Sequence, residues 1–177
     1  TLSVVTNIYP DHQNYYGSME AYVEDKKQIF RFQQASDTLV LNADNAWTQA
    51  MGGEAPGAVV WYSKAAGAAS DGFSILGDRI MEAHGAHQEE IANLSGTRLI
   101  GEHHRENALA AVAAVRSFGI EGGSIQAGFV SFEGVPHRLE LGGEKRGIRF
   151  YNDSAATIPE AAIAALESFR QPVYLIV

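Results

Sequence analysis

The stretch 7-NIYPDHQNYYGSMEAYVEDKK-27 follows an apolar, β-branched run and passes through Pro10 into a helix whose predicted N-cap is Ser18. An acid and an imidazole, Asp11 and His12, lie where the predicted strand ends. Open α/β sheets hold their ligands at the carboxyl ends of their strands. The stretch therefore predicts a β-α unit with a functional site at the break.

Lys26 is the unusual residue of the predicted helix. At 3/4 spacing it falls on the apolar face, whereas Lys27 falls on the opposite, charged face. Two interpretations are open: a stem that packs along the core with its ammonium in water, or a functional amine held over the strand end. Spacing alone favours the first. The apolar face is formed by Met19, Tyr22, Val23, Ile29, Phe30 and Gln33.

Composition limits the class of protein. A chain of 177 residues that is 46% hydrophobic can bury one medium domain, or one domain and part of another. The net charge of -8, without a basic run, argues against nucleic acid or an anionic membrane as partner. The absence of cysteine excludes a disulfide framework and a thiolate metal site, and it fits the cytoplasm. No apolar run reaches the roughly 20 residues that span a bilayer.

The remaining pattern predicts an α/β chain built from β-α units and a small β meander, with a second α/β domain from residue 136. Residues 67–72 read as a surface loop. Because strands are predicted at both ends of the chain, we expect an excerpt of a longer protein. Predicted strands cover residues 38–41, 58–62, 72–76, 79–83, 90–94, 138–141, 147–151 and 172–177, and predicted helices cover residues 18–33, 44–51, 102–118, 124–132 and 159–169.

Four polar clusters lie at predicted strand ends or helix starts: Asp11 with His12, residues 103–107, His137 with Arg138, and residues 152–157. In this order they resemble the Mur ligase superfamily, the ATP-dependent amide-forming ligases of peptidoglycan synthesis. The resemblance covers nearly the whole chain. It implies the second half of a central ATPase domain in residues 1–135 and the start of a Rossmann-like C-terminal domain in residues 136–177.

The resemblance also implies roles for single residues. His12 would ligate magnesium, and the amine of Lys26 would be carbamylated by CO2, which makes it a hard oxygen ligand for a second Mg2+. Asn107 would contact the adenine of ATP, and Arg138 its phosphates. Asp153 and Thr157 would contact the nucleotide or hold the domains closed. His12, Lys26 and Arg138 are thus the predicted catalytic residues, with Asp11 as an orienting neighbour.

The run N-D-S-A-A-T at residues 152–157 is similar to the N-D-S-K-A-T loop of the branch that joins D-glutamate to UDP-N-acetylmuramoyl-L-alanine. The resemblance therefore implies these two substrates, ATP, two Mg2+ ions and a cytoplasmic protein without nucleic-acid or membrane partners. We expect a monomer. A Mur-like ligase with another acceptor, such as a folate-type polyglutamylating enzyme, and a non-catalytic binding module are the alternatives. The N-D-S run argues against the folate type.

The sequence departs from the family pattern at two positions. His104 stands where the family's H-N-x-x-N run has its first Asn, and Ala155 stands where the loop has lysine. The family's phosphate loop, G-x-x-G-K-[ST], does not occur in the 177 residues. We therefore expect these residues alone to be inactive.

Overall fold

The fold places six strands in one sheet and two in another. It is seen in a computed structural model that describes residues 1–11, 13–65 and 71–176. The predicted loop at 67–72 therefore lies mostly outside the described residues. The elements in chain order are β1 (Leu2–Val5), α1 (Gln13–Tyr16), α2 (Met19–Lys26), β2 (Thr38–Asn42), α3 (Ala46–Gly52), β3 (Ala58–Ser63), β4 (Asp71–Leu76), β5 (Arg79–His84), β6 (His87–Asn93), α4 (Glu102–Arg116), α5 (Gly122–Ser131), β7 (Glu140–Lys145), β8 (Ile148–Asn152) and α6 (Pro159–Glu167).

The large sheet has the order β1-β2-β3-β4-β5-β6, and β5 alone runs opposite to the other five strands. Strands β1 to β4 are parallel, and β4, β5 and β6 form an antiparallel meander. The prediction that β3 belongs to the meander is therefore wrong. Val59 and Val60 pack into different cores on opposite faces of the sheet, the burial typical of a parallel strand.

Helices cover both faces of the parallel strands, which confirms the predicted α/β class. Leu39, Val40 and Leu41 of β2 are fully buried, and their side chains alternate between two hydrophobic cores. One core lies under α4 and α5 and contains Val40, Leu109 and Val112. The other lies under α2 and α3. The carboxyl ends of β1, β2 and β3 consequently meet at one edge of the sheet.

The first long helix begins as predicted but ends earlier. Ser18 is its N-cap, and the Ser18 hydroxyl accepts a hydrogen bond of 3.2 Å from the Ala21 amide. After Lys26 the chain tightens into a 3-10 turn, Lys27–Ile29, whose fewer residues per turn rotate the side chains away from the helical register. Ile29 is exposed, so the prediction that it lies on the buried face is wrong. Lys26 is exposed as well, and its ammonium lies over the ring of Tyr22, a buried residue of the predicted apolar face.

The C-terminal part contains the β7–β8 hairpin and α6, which starts with Pro159 at its first position as predicted. Residues 172–176 are not a strand, against the prediction. A strand needs a hydrogen-bonded neighbour, and among the described residues β7 and β8 pair with each other and with no third strand. No helix in the described parts of the chain is both long and apolar enough to cross a membrane.

Candidate functional site

Four polar side chains meet at the carboxyl edge of the parallel strands. Glu106 reaches this edge from the second turn of α4 and is only 6% exposed. Its Oε1 accepts hydrogen bonds from the Nδ2 atoms of Asn7 (2.8 Å) and Asn42 (2.5 Å). Asn42 Nδ2 also lies 2.9 Å from Asn7 Oδ1. One buried carboxylate thus joins α4 to the ends of β1 and β2.

The charge of Glu106 is balanced by Lys64, which follows β3. Lys64 Nζ lies 2.9 Å from Glu106 Oε2. Burial of the amine works to lower the pKa of Lys64, but the hydrogen bond and the negative charge of Glu106 outweigh it, and the pKa is raised. The carboxylate therefore stays paired, and α4 is tied to the end of the third strand as well.

The backbone beyond β1 is held by two further contacts. Tyr62 donates its hydroxyl to the Thr6 carbonyl at 3.2 Å, and Asn45 Nδ2 donates to the Ile8 carbonyl at 3.1 Å. Burial, reinforced by the charges of Glu106 and Asp44, raises the pKa of Tyr62, so this hydroxyl remains a donor. The strand end that leads to Asp11 is fixed on both sides of Asn7.

Lys26 lies beside this strand end. A cavity of about 360 Å³ is lined by the end of β1, including Asn7 and Ile8, and by Asp25, Lys26 and Ile29. The Lys26 ammonium is 5.1 Å from the centroid of the Tyr22 ring, a cation-π contact. The structure therefore brings the predicted amine to the predicted strand end. His12 lies outside the described residues.

Asp25 is held next to Lys26 by a contact from α1. The Tyr16 hydroxyl donates to Asp25 Oδ2 at 2.7 Å, and this bond to a carboxylate raises the pKa of Tyr16 to about 12. The Tyr16 ring also packs 5.0 Å from that of Tyr22. Lys27, in contrast, points away and pairs with Glu24 (2.5 Å) and Glu54 (2.7 Å). The two neighbouring lysines thus have different surroundings.

The second group of predicted site residues gathers around the start of α4. Desolvation lowers the pKa values of both His103 and His104, and the charges of Asp153 and Arg138 act on both rings. His104 Nδ1 donates to the Ile100 carbonyl at 2.8 Å, so the residue that departs from the family pattern makes a local structural bond. Asn107 is exposed one residue beyond the buried Glu106.

Arg138 is presented by an unusual backbone. Its two neighbours, His137 (φ 63°) and Leu139 (φ 45°), both adopt the left-handed conformation, which is costly for residues with a side chain. The Leu139 amide is held by Asp153 Oδ1 at 3.0 Å, and the Ala155 amide donates to the His137 carbonyl at 3.1 Å. Asp153 and the loop after β8 therefore fix the segment that carries Arg138.

The predicted residues thus fall into two groups, Lys26 at the end of β1 and Arg138 with Asp153 near the start of α4. Thr157 is exposed two residues before Pro159. In the described ranges, no three His, Cys, Asp or Glu side chains are grouped so that they could hold a metal ion. Sequence reasoning missed the network in which Asn7, Asn42 and Lys64 contact the buried Glu106.

A signal for Glu106 was present in the sequence. Glu106 precedes Leu109 by three residues and Ala113 by seven, so helical spacing puts this acid on the apolar face of α4. Both Leu109 and Ala113 are fully buried. A charged residue on a buried face needs a partner, which the strand ends supply.

Comparison with known proteins agrees with the family resemblance of the sequence motifs. The family profile described as the Mur ligase middle domain matches residues 1–115. The UDP-N-acetylmuramoylalanine–D-glutamate ligase of Acetivibrio thermocellus is 43% identical over 175 residues, which cover 99% of this chain and 37% of the relative. The protein of the same name from Roseiflexus sp. is 41% identical over 182 residues, 99% of this chain and 39% of that protein.

Among solved structures, MurF from Acinetobacter baumannii superposes with a TM-score of 0.72 at 18% identity, over 94% of this chain and 36% of that one. At this identity the likeness concerns the fold. The chain spans less than two fifths of the length of the Acetivibrio and Roseiflexus ligases.

Proposed function

Because the chain belongs to the Mur ligase family through its middle domain, we propose that it is part of an ATP-dependent ligase that joins D-glutamate to UDP-N-acetylmuramoyl-L-alanine. The observation that carries the proposal is the placement of Lys26 in one cavity with the end of β1. The names of the relatives, at 43% and 41% identity, support the choice of substrates.

Residues 1–135 would belong to the central ATP-binding domain, and residues 136–177 would begin the C-terminal Rossmann-like domain. Two observations support this division. The matched family profile ends at residue 115, and β7 and β8 form a sheet separate from the six-stranded one. The strained segment that carries Arg138 would then lie at the junction.

Lys26 and His12 would hold the two Mg2+ ions, with Lys26 carrying a carbamate. The surroundings of Lys26 fit this role because its amine lines an open cavity and, among the described residues, has no acid pairing like the one that holds Lys27. A carbamate would add a carboxylate of the hard oxygen type that Mg2+ prefers. Bound Mg2+ would offset the charge of the phosphoryl group during its transfer.

The second group of residues would bind ATP. Asn107 is exposed at the start of α4, as an adenine contact requires, and Arg138 would reach the phosphates. Arg138 would stabilise developing phosphoryl charge, while Asp153 holds its backbone in place through the Leu139 amide. Thr157 would contact the nucleotide or the closing domain. Because Ala155 stands where the family's loop has lysine, that cation is missing from this loop. Arg138 would supply the positive charge at the phosphates in its place.

In the proposed reaction the carboxylate of UDP-N-acetylmuramoyl-L-alanine takes the terminal phosphoryl group of ATP. The amine of D-glutamate then attacks the acyl phosphate and displaces phosphate, which leaves an amide, ADP and inorganic phosphate. Because its substrates would be nucleotide-linked precursors, we propose that the enzyme works in the cytoplasm, and that it does so as a monomer.

The direct test is ligation by the full-length protein. Purified enzyme with ATP, Mg2+ and UDP-N-acetylmuramoyl-L-alanine should release phosphate and form product with D-glutamate. Mass spectrometry would identify the product. Ligation of L-glutamate to a folate in place of this reaction would establish the other acceptor class, and binding of ATP without turnover would establish the non-catalytic module.

A further inference from the structure

The buried Glu106 has no role in the proposed reaction. It is 6% exposed and is contacted by groups from three different strand ends. Burying a carboxylate is unfavourable unless hydrogen bonds and opposite charges replace its lost hydration. A hydrophobic side chain at this helix position would pack with Leu109 without that cost. The acid is therefore best explained by what it does to its partners.

Asn7 is the partner nearest to the proposed chemistry. A side-chain amide can turn by 180°, which exchanges its donor and acceptor ends. Glu106 Oε1 lies 2.8 Å from Asn7 Nδ2 and, as a carboxylate, can only accept. Asn7 must therefore turn its NH2 group to Glu106, and its carbonyl oxygen then accepts from Asn42 at 2.9 Å. The acid fixes both the position and the orientation of Asn7.

The effect extends to Lys26 because Asn7 and Lys26 line the same cavity. We propose that Glu106 is a positioning residue, which orients Asn7 and thereby sets the strand end that faces Lys26 and leads to Asp11. The Lys64 ammonium, 2.9 Å from the other carboxylate oxygen, offsets the negative charge of Glu106. The proposal rests on the proposed function in assigning importance to this cavity.

The decisive variant is Glu106→Gln in the full-length enzyme. Glutamine keeps the shape but has only one accepting oxygen. With its NH2 group towards Lys64, two donors face each other, and when the amide turns by 180° to avoid this, its NH2 group faces the donors of Asn7 and Asn42. We expect the Mg2+ concentration for half-maximal ligation to rise by roughly three- to tenfold. Changes in groups that orient metal ligands weaken metal sites by about 10- to 100-fold, and the effect should be smaller here because Glu106 acts through Asn7. The KM for ATP should change less than twofold.

Two further proteins make the test specific. Glu102→Gln changes an exposed acid on the same helix and should leave the Mg2+ dependence as in wild type. The double variant Glu106→Gln with Lys64→Met removes the unpaired ammonium and should recover most of the lost thermal stability. An unchanged Mg2+ dependence in Glu106→Gln would overturn the proposal, even if the variant were less stable.

A second readout does not depend on activity. The side-chain NH2 signals of Asn7 and Asn42 in 15N-labelled full-length protein should move in Glu106→Gln and stay in place in Glu102→Gln. Unmoved Asn7 signals would overturn the positioning role, even if the wild-type enzyme ligated no D-glutamate. Failure of that wild-type ligation, by contrast, would count against the proposed function alone.

Discussion

Asn42 is the residue whose loss should cost the most stability at the sheet edge. Its side chain is 1% exposed and makes three hydrogen bonds, to Glu106, to Asn7 and from the Asp44 amide. A bond to a charged group contributes about 1.5–3 kcal/mol and each neutral bond about 1 kcal/mol. Asn42→Ala should therefore lower the free energy of unfolding by about 3–5 kcal/mol.

For a protein of this size each kcal/mol lowers Tm by about 2–4 °C, so the expected loss in Tm is about 6–20 °C. Differential scanning calorimetry would measure it, with Gln88→Ala on the exposed surface of β6 as the control, expected to lie within about 0.5 kcal/mol of wild type. If the two variants melted within about 2 °C of each other, the network would not have this energetic role.

Three other outcomes are expected. Arg138→Ala should lower kcat of the full-length enzyme more than it raises KM for ATP, because the arginine acts on charge that develops in the transition state. If the variant had wild-type kinetics, Arg138 would instead be a surface residue paired with an acid such as Glu140. His103 and His104 have lowered pKa values when folded, so stability should hold above about pH 6.5 and fall as the pH drops below it; His103→Gln with His104→Gln should flatten that slope in thermal melts. The purified chain of 177 residues should release no phosphate from ATP, and metal-dependent turnover in a malachite green assay would refute this.

The elements that depend on local sequence were predictable. Ser18 and Pro159 mark helix starts by capping and by a fixed φ angle, and both act within a few residues. The pairing of β3 was not predictable in this way, because a short apolar run has the same pattern in a meander and in a parallel sheet. Which neighbour it joins depends on α4 and α3 covering its two faces.

The site shows the same division. The proximity of Lys26 to the end of β1 followed from the strand–helix pattern. The exposure of Ile29 did not, because Ile29 lies in the 3-10 turn after α2. Asn42 is 35 residues from Asn7 and 22 residues from Lys64 in the sequence. The three residues come together through the parallel topology of the sheet. Local patterns do not contain such contacts. The roles of His12, Asn107, Asp153 and Thr157 stay predictions.

The central claim is that the Lys26 amine works as a carbamate in a D-glutamate ligase. Its most direct test is the ligation rate of full-length Lys26→Ala, measured with and without added acetate, against Lys27→Ala as the matched neighbour. We expect Lys26→Ala to lose at least about 100-fold in rate and to regain part of it with acetate, which replaces the missing carboxylate near the metal. Lys27→Ala, which loses only the pairs with Glu24 and Glu54, should ligate at close to the wild-type rate. Undiminished ligation by Lys26→Ala would contradict the claim and leave Lys26 as a surface lysine packed over Tyr22.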